Sequence, residues 1–169
     1  MKGLVTDALF LDDIAHLLPY VVGIEEKTAR LGKLYAIEYV EDGWRSISVA
    51  DCVVSRCLRG DEISYEKYQT RFGLTAYSVE KLKKLQESII NKGYPAGGWI
   101  TTFGDEPYIR DGRHRAAILY RLNGDIEIPI LNVKFDPSFN GWRMKQPTSP
   151  FWKSLLWKVY RGVHKRIDY

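Results

Sequence analysis

The feature that most constrains this chain is the stretch from Tyr108 to Leu122, where a short strand-forming run leads directly into a helix-forming run. Asp111-Gly112 joins the two runs, and Arg113-His114-Arg115 opens the second one. The first N–H groups of a helix have no acceptor inside it, and the helix dipole places positive charge there. A glycine and three basic side chains at such a helix start therefore predict an anion site, whose commonest occupant is phosphate.

Length and composition predict an ordinary folded domain. The chain has 169 residues, of which 45% are hydrophobic and 27% charged, as in soluble globular proteins. No apolar run approaches the roughly 18 residues that cross a bilayer. The N-terminal residues carry only Lys2 before Asp7, Asp12 and Asp13, unlike a signal peptide, so we expect a cytoplasmic protein.

The positive charge is concentrated at one end. The net charge is +4, and the residues from Arg143 onward hold seven Lys and Arg against the single acid Asp168. The preceding residues are therefore slightly acidic in sum. Because DNA affinity is built from cationic surface, we do not expect DNA as a partner of the main body.

Periodicity and capping residues outline the elements. Patterns predict helices over 7–18, 51–58, 65–72, 79–92 and 113–122, and strands over 33–40, 44–49, 99–103, 108–110 and 126–131. Pro19 would stop the first helix, and Pro129 suggests an edge or bulge in the last strand. The order from residue 79 onward is helix, strand, strand, helix, strand, which predicts the α+β class.

The motif at the helix start resembles the ParB/sulfiredoxin-like superfamily. Residues 112–115 are similar to the Gly-Cys-His-Arg phosphate loop of sulfiredoxin, and residues 111–116 are closer still to the Asp-Gly-x-His-Arg motif of its free-serine kinases. They also resemble ParB-like proteins linked to bacterial surface-polysaccharide genes. The resemblance is best over residues 79–133 and extends back towards residues 44–55.

We predict three parts: an N-terminal helical lead over residues 1–30 and a C-terminal helix over 148–169, both from their residue patterns, and between them a ParB/sulfiredoxin-like domain over 31–140, which the resemblance implies. Arg113 stands where sulfiredoxin has its catalytic cysteine, which excludes reduction of sulfinic acids. The partitioning proteins have Gly-x-x-Arg-x-Arg, and this chain lacks the second arginine, so CTP-driven DNA clamping is not expected.

Each residue of the motif has a phosphate-binding interpretation. Gly112 lets the backbone approach a phosphate, and Arg115 can grip two of its oxygens in parallel. His114 either donates to a phosphate oxygen or acts catalytically as a proton shuttle. Asp111 would orient His114 or hold Mg²⁺, and Arg113 would contact a terminal phosphate.

The alternative interpretation is purely structural. Asp111 would cap the helix, and both arginines would be solvated on its first turn. However, two cations at a helix N-terminus oppose its dipole by roughly 0.3–1 kcal/mol each, which favours a ligand-binding role.

A kinase also needs a carboxylate near the acceptor hydroxyl. In the related free-serine kinases it comes from the N-terminal part of the domain, so the candidates here are Asp61 and Glu62, with Asp51 as a third; all of them could equally be surface acids on turns. Tyr65 and Tyr68, three residues apart, either wall a pocket or pack in the core.

The predicted function is a nucleotide-dependent phosphotransferase. It would use ATP or ADP with Mg²⁺, and its acceptor would be a small hydroxyl compound or a sugar, which the polysaccharide-linked relatives place in surface-polysaccharide biosynthesis. The alternative is a non-catalytic ParB-like regulator that binds a nucleotide or DNA.

The C-terminal residues 148–169 predict a basic amphipathic helix. Ser149-Pro150 is a strong helix start, and the residues after it place apolar and aromatic side chains on one half of the helical wheel and cations on most of the other. Such a helix either docks on its own domain or contacts an anionic membrane surface, an acidic partner or nucleic acid.

Overall fold

The computed structural model of this chain describes residues 15–41, 43–74, 78–95, 98–141 and 143. Their strands are β1 (Val21–Arg30), β2 (Tyr35–Val40), β3 (Gly43–Ser48), β4 (Thr101–Phe103), β5 (Ile109–Asp111) and β6 (Glu127–Phe135). Their helices are α1 (Val53–Leu58), α2 (Glu62–Phe72), α3 (Val79–Lys92) and α4 (Arg113–Asn123), with 3-10 turns at Ala15–Tyr20 and Leu31–Lys33. The α+β class predicted from the sequence is confirmed.

Four strands form the main sheet, in the order β1-β6-β4-β5. β6 pairs antiparallel with β1 and parallel with β4, and β4 pairs antiparallel with β5. The hairpin of β2 and β3 forms a second sheet, which meets β5 through a parallel bridge between Tyr35 and Tyr108. This arrangement places the start of α4 beside the outer edge of β2, which is the edge that does not pair with β3.

Pro129 shows how a proline is tolerated in an internal strand. Leu131, two residues further on, donates its N–H to Ile100 O on the β4 side. Because strand residues alternate, the nitrogen of Pro129 faces the same side, at a point that β4 does not reach. The side chain of Tyr94 donates to Pro129 O there, so the proline is tolerated although β6 is an internal strand without a bulge at this position, unlike the edge or bulge predicted from the sequence.

The core lies on both faces of the main sheet. Along β6, Ile128 and Ile130 belong to the larger cluster that the helices cover, and Leu131 and Val133 belong to a smaller cluster with Leu17. This alternation follows from the two-residue repeat of a strand. The larger cluster includes the apolar residues of α4 and therefore anchors the helix whose start carries the motif.

Local signals set the start of α3 and the end of α2 as predicted, whereas α2 begins at Glu62 rather than at the predicted residue 65. The side chain of Ser78 accepts a hydrogen bond from Lys81 N and begins α3, and α3 has the predicted 14 residues. Gly73 ends α2 with a left-handed backbone, at φ 65°.

The N-terminal prediction is wrong where the structure describes it. Residues 21–30, expected within a helical lead, form β1, because their backbone pairs with β6 along its whole length. Pro19 lies inside the 3-10 turn rather than ending a helix. Residues 7–14 of the predicted first helix and the whole predicted helix 148–169 lie outside the described residues.

Among the described residues, no helix combines the length and the apolar character that crossing a membrane requires.

Candidate functional site

Gly112 joins β5 to α4 and is crowded by the protein's own backbone. Its φ is 82°, a conformation that side-chain-bearing residues adopt only with strain. A Cβ atom on Gly112 would lie 2.7 Å from Trp99 O and 2.8 Å from Ile100 Cα. The glycine therefore serves the packing of the helix start against the loop before β4.

The first turn of α4 carries no acid, and the carboxylate of Asp111 precedes it, where it accepts a hydrogen bond from Gly112 N. The first helical hydrogen bond runs from Ala116 N to Gly112 O, so the three preceding amides point out of the helix end. Gly112 offers no capping side chain, and the first turn contains no acid. The positive end of the helix dipole therefore coincides with the basic side chains of the motif.

Arg113 reaches from α4 to the outer edge of β2. Its Nη1 donates to Ile37 O over 2.9 Å. Tyr68 Oη accepts from Tyr39 N at the same edge and also contacts Arg113. Burial raises the pKa of Tyr68, and the adjacent Arg113 opposes this rise. Arg113 is thus held in place by the hairpin and α2.

His114 pairs with a buried tyrosine of α2. Tyr65 Oη lies 3.0 Å from His114 Nε2, and Tyr65 is completely buried. Burial, together with the charges of the neighbouring Arg113 and Arg115, lowers the pKa of His114 to about 3. The imidazole is therefore neutral near pH 7, which suits a hydrogen-bonding group better than a proton acceptor.

Arg115 and Asp111 face each other beside the loop before β4. The side chain of Arg115 is 16% exposed, and its Nη1 lies 3.9 Å from Asp111 Oδ2. The guanidinium group packs against Gly98, where even a methyl group would meet it. Asp111 accepts from Gly112 N, and burial raises the pKa of its carboxyl group.

Asp111 does not take the orienting role expected for it. The described contact of the imidazole is with Tyr65 of α2, whereas Asp111 turns to Gly112 N and Arg115. No group of three or more His, Cys, Asp or Glu gathers as a metal site in the described part of the chain. Any metal role of Asp111 therefore depends on ligand oxygens.

The two predicted catalytic carboxylates have structural contacts. Asp61 caps α2 by accepting from Ser64 N, and hydrogen bonds from the side chain and then the backbone of Ser64 lower the pKa of its exposed carboxyl group. Glu62 forms an ion pair with Lys83 of α3, at 2.8 Å. Asp51, the third candidate, accepts from Ser48 Oγ. Their catalytic assignment stays a prediction, since the described contacts of none of them reach the motif.

α2 contributes two features that its sequence only partly signals. The core role considered for Tyr65 is confirmed, but its hydroxyl contact with His114 was not predicted. Gln69, one turn further on, is 6% exposed, and both polar atoms of its amide have no hydrogen-bond partner in the described structure. Its spacing of four residues from Tyr65 is the only sequence signal that would have placed it on the buried face.

Protein-family models, curated protein sequences and solved structures all contain no match to this chain.

Proposed function

We propose that this chain binds a nucleotide through its phosphates at the start of α4 and transfers a phosphoryl group to a small hydroxyl compound or a sugar. The observation that carries the proposal is the inward arrangement of Arg113, His114 and Arg115. Each contacts another part of the protein at a helix start whose first turn contains no acid. Two cations at that end interact unfavourably with the positive end of the helix dipole. A bound anion would offset this unfavourable interaction.

The residues divide the work of phosphate binding. Arg115 packs against Gly98 and faces Asp111. Its planar guanidinium group can donate two parallel hydrogen bonds to a phosphate. Arg113 adds charge on the β2 side of the helix start. The neutral imidazole of His114 would act as a hydrogen-bonding group rather than as a base. The resemblance to the ParB/sulfiredoxin-like superfamily supports the same assignment.

Phosphoryl transfer also needs charge neutralisation and an oriented acceptor. Asp111 would help to hold Mg²⁺ through bound waters, because this ion commonly uses one or two carboxylates together with ligand phosphates. The ion would supply neutralisation of the charge that develops on the phosphate oxygens. Asp61 and Glu62 remain the candidates for orienting the acceptor, which the polysaccharide-linked resemblance suggests is a precursor of a surface glycan.

A titration followed by a product screen tests this function. Calorimetric titration with ATP, ADP and CTP in the presence of Mg²⁺ should show binding of at least one nucleotide. Incubation of that nucleotide with serine and a panel of sugars should then yield a product heavier by one phosphate in mass spectrometry. Absence of binding by all three nucleotides would contradict the proposal.

The second candidate is a non-catalytic nucleotide-binding regulator with the ParB-like fold. It is favoured by one observation: Asp61 and Glu62 cap and brace α2 rather than contact the motif. Tight nucleotide binding with no phosphorylated product from the panel would select this candidate. Salt-dependent retention on duplex DNA would extend it to a DNA-binding regulator.

A further inference from the structure

The β2–β3 hairpin has one buried face and one outward face. Ala36 and Glu38 of β2 are buried, with exposed fractions of 0% and 2%. Tyr35, the first residue of the same strand, is 40% exposed. Strand residues alternate between faces, so Tyr35 and Ile37 share the outward face. Trp44 of β3 pairs with Tyr39 and lies on that face too, since directly opposite residues point to the same side.

Three aromatic rings form a continuous surface on this face. The ring of Tyr108, at the entry to β5, lies 6.4 Å from that of Tyr35 and 6.0 Å from that of Trp44, both at 70°. Tyr35 and Trp44 stand towards opposite ends of the hairpin, so Tyr108 bridges them. These three residues are called the aromatic platform below. Edge-to-face packing holds these rings against one another, and Tyr35, at 40% exposure, keeps part of its ring accessible to a further planar group.

The aromatic platform adjoins the start of α4. Tyr35 N donates to Pro107 O and thereby sets the register between β2 and β5. Two residues further along β2, Ile37 O accepts from Arg113. Because a strand rises by about 3.3 Å per residue, Tyr35 and Ile37 are roughly 6–7 Å apart. Cationic and aromatic groups therefore meet along one edge of β2.

We propose that Tyr35, Trp44 and Tyr108 form the stacking surface for the base of the nucleotide whose phosphates bind at the start of α4. This inference rests on the proposed function and extends it to the base. A nucleotide is the ligand class that carries both a planar ring and adjacent phosphate charge, which are the two properties that this edge of β2 presents together. Stacking accepts any base, because every base has a π-face.

Matched titrations with ATP and with inorganic tripolyphosphate separate the base from the phosphates. Tyr35→Ala should weaken ATP binding on the order of 10-fold or more. The same variant should leave tripolyphosphate binding unchanged, because it alters no group at the start of α4. Tyr35→Phe, which keeps the ring, should bind ATP like the unaltered protein.

Tyr20→Ala is the control, since Tyr20 is similarly exposed at 42% but stacks on Phe139 away from the hairpin. Equal ATP affinities for Tyr35→Ala and the unaltered protein would overturn the inference. So would an equal loss for ATP and tripolyphosphate in Tyr35→Ala. If the unaltered protein binds neither probe, the proposed function itself fails, which is a distinct result.

Discussion

Gly112 and Gly73 have similar left-handed backbones but very different surroundings. Their φ angles are 82° and 65°. No atom of the described residues lies within 4 Å of a Cβ atom built on Gly73, whereas the Trp99–Ile100 backbone occupies that space at Gly112. Backbone atoms cannot move aside as the end of a flexible side chain can. A side chain at Gly73 would therefore meet conformational strain alone, whereas one at Gly112 would meet both strain and a steric clash.

We therefore expect Gly112→Ala to destabilise the fold more than Gly73→Ala. The strain of a left-handed alanine costs roughly 1–2 kcal/mol in both variants. The clash with backbone adds about 1–3 kcal/mol in Gly112→Ala alone. Chemical denaturation of the two variants measures the difference, and equal losses would show that the packing at Gly112 is not as tight as described.

His114 should make the stability of the protein depend on pH. In the folded protein burial lowers the pKa of His114 to about 3, while in the unfolded chain it returns to its ordinary value of 6.5. The unfolded state therefore takes up a proton first as the pH falls, so the stabilisation present above pH 6.5 is progressively lost towards pH 3. Tyr65, Arg113 and Arg115 are the titratable groups around this imidazole.

Comparison with His114→Gln isolates this contribution. Between about pH 7 and about pH 5 the unaltered protein should lose roughly 2 kcal/mol more of its free energy of unfolding than the variant does. Carboxyl groups and the other histidines contribute to both proteins and cancel in the difference. Parallel denaturation curves over this range would show that the imidazole titrates normally in the folded state.

At the scale of elements, local signals in the sequence predicted most helices and the hairpin. Ser78 and Gly73 act within one turn of the residues that they cap, so their effect is readable from the sequence alone. β1 was missed because its strand state comes from pairing with β6, about a hundred residues away. Its run Glu25-Glu26-Lys27 has no strong strand propensity of its own.

For the site too, the sequence predicted what depends on neighbouring residues and missed what depends on long-range contacts. The motif itself lies within one helix start, so its residues were correctly expected to be neighbours. Tyr65 and His114 are 49 positions apart, and the contact between them depends on how α2 packs beside α4. The same holds for Arg113 and Ile37 O. No local pattern encodes such contacts, which is why the partners of the motif emerged only from the fold.

The buried face of α2 gives a prediction of its own. Gln69 buries an amide whose two polar atoms have no partner in the described structure, and an unsatisfied buried polar group costs about 1–3 kcal/mol. Gln69→Met, which keeps the length of the side chain, should raise the free energy of unfolding by about 1 kcal/mol or more. Gln86→Met on α3, at a half-buried position, is the control and should change it little. A clear loss of stability in Gln69→Met would show that the amide is used.

At the scale of the whole molecule, positive charge occurs both at the proposed phosphate site and, separately, in the C-terminal part of the sequence. The described body has cations on many of its elements, among them Arg113 and Arg115 at the start of α4, whereas the surplus of positive charge in the sequence lies from Arg143 onward. A ligand that binds only the folded protein stabilises all of it, by about 2.7 kcal/mol at a concentration one hundred times its Kd. Thermal unfolding therefore reports on the site without knowledge of the reaction.

The most direct test of the phosphate site is the thermal shift produced by tripolyphosphate or ATP in Arg115→Ala. The unaltered protein and Arg121→Ala, an exposed arginine in the last turn of α4, should both be stabilised as the ligand is added. Arg115→Ala should show no shift, and Arg115→Lys, which keeps the charge but not the planar fork, should show a reduced one. A shift in Arg115→Ala equal to that of the unaltered protein would contradict the assignment of this helix start as the phosphate site.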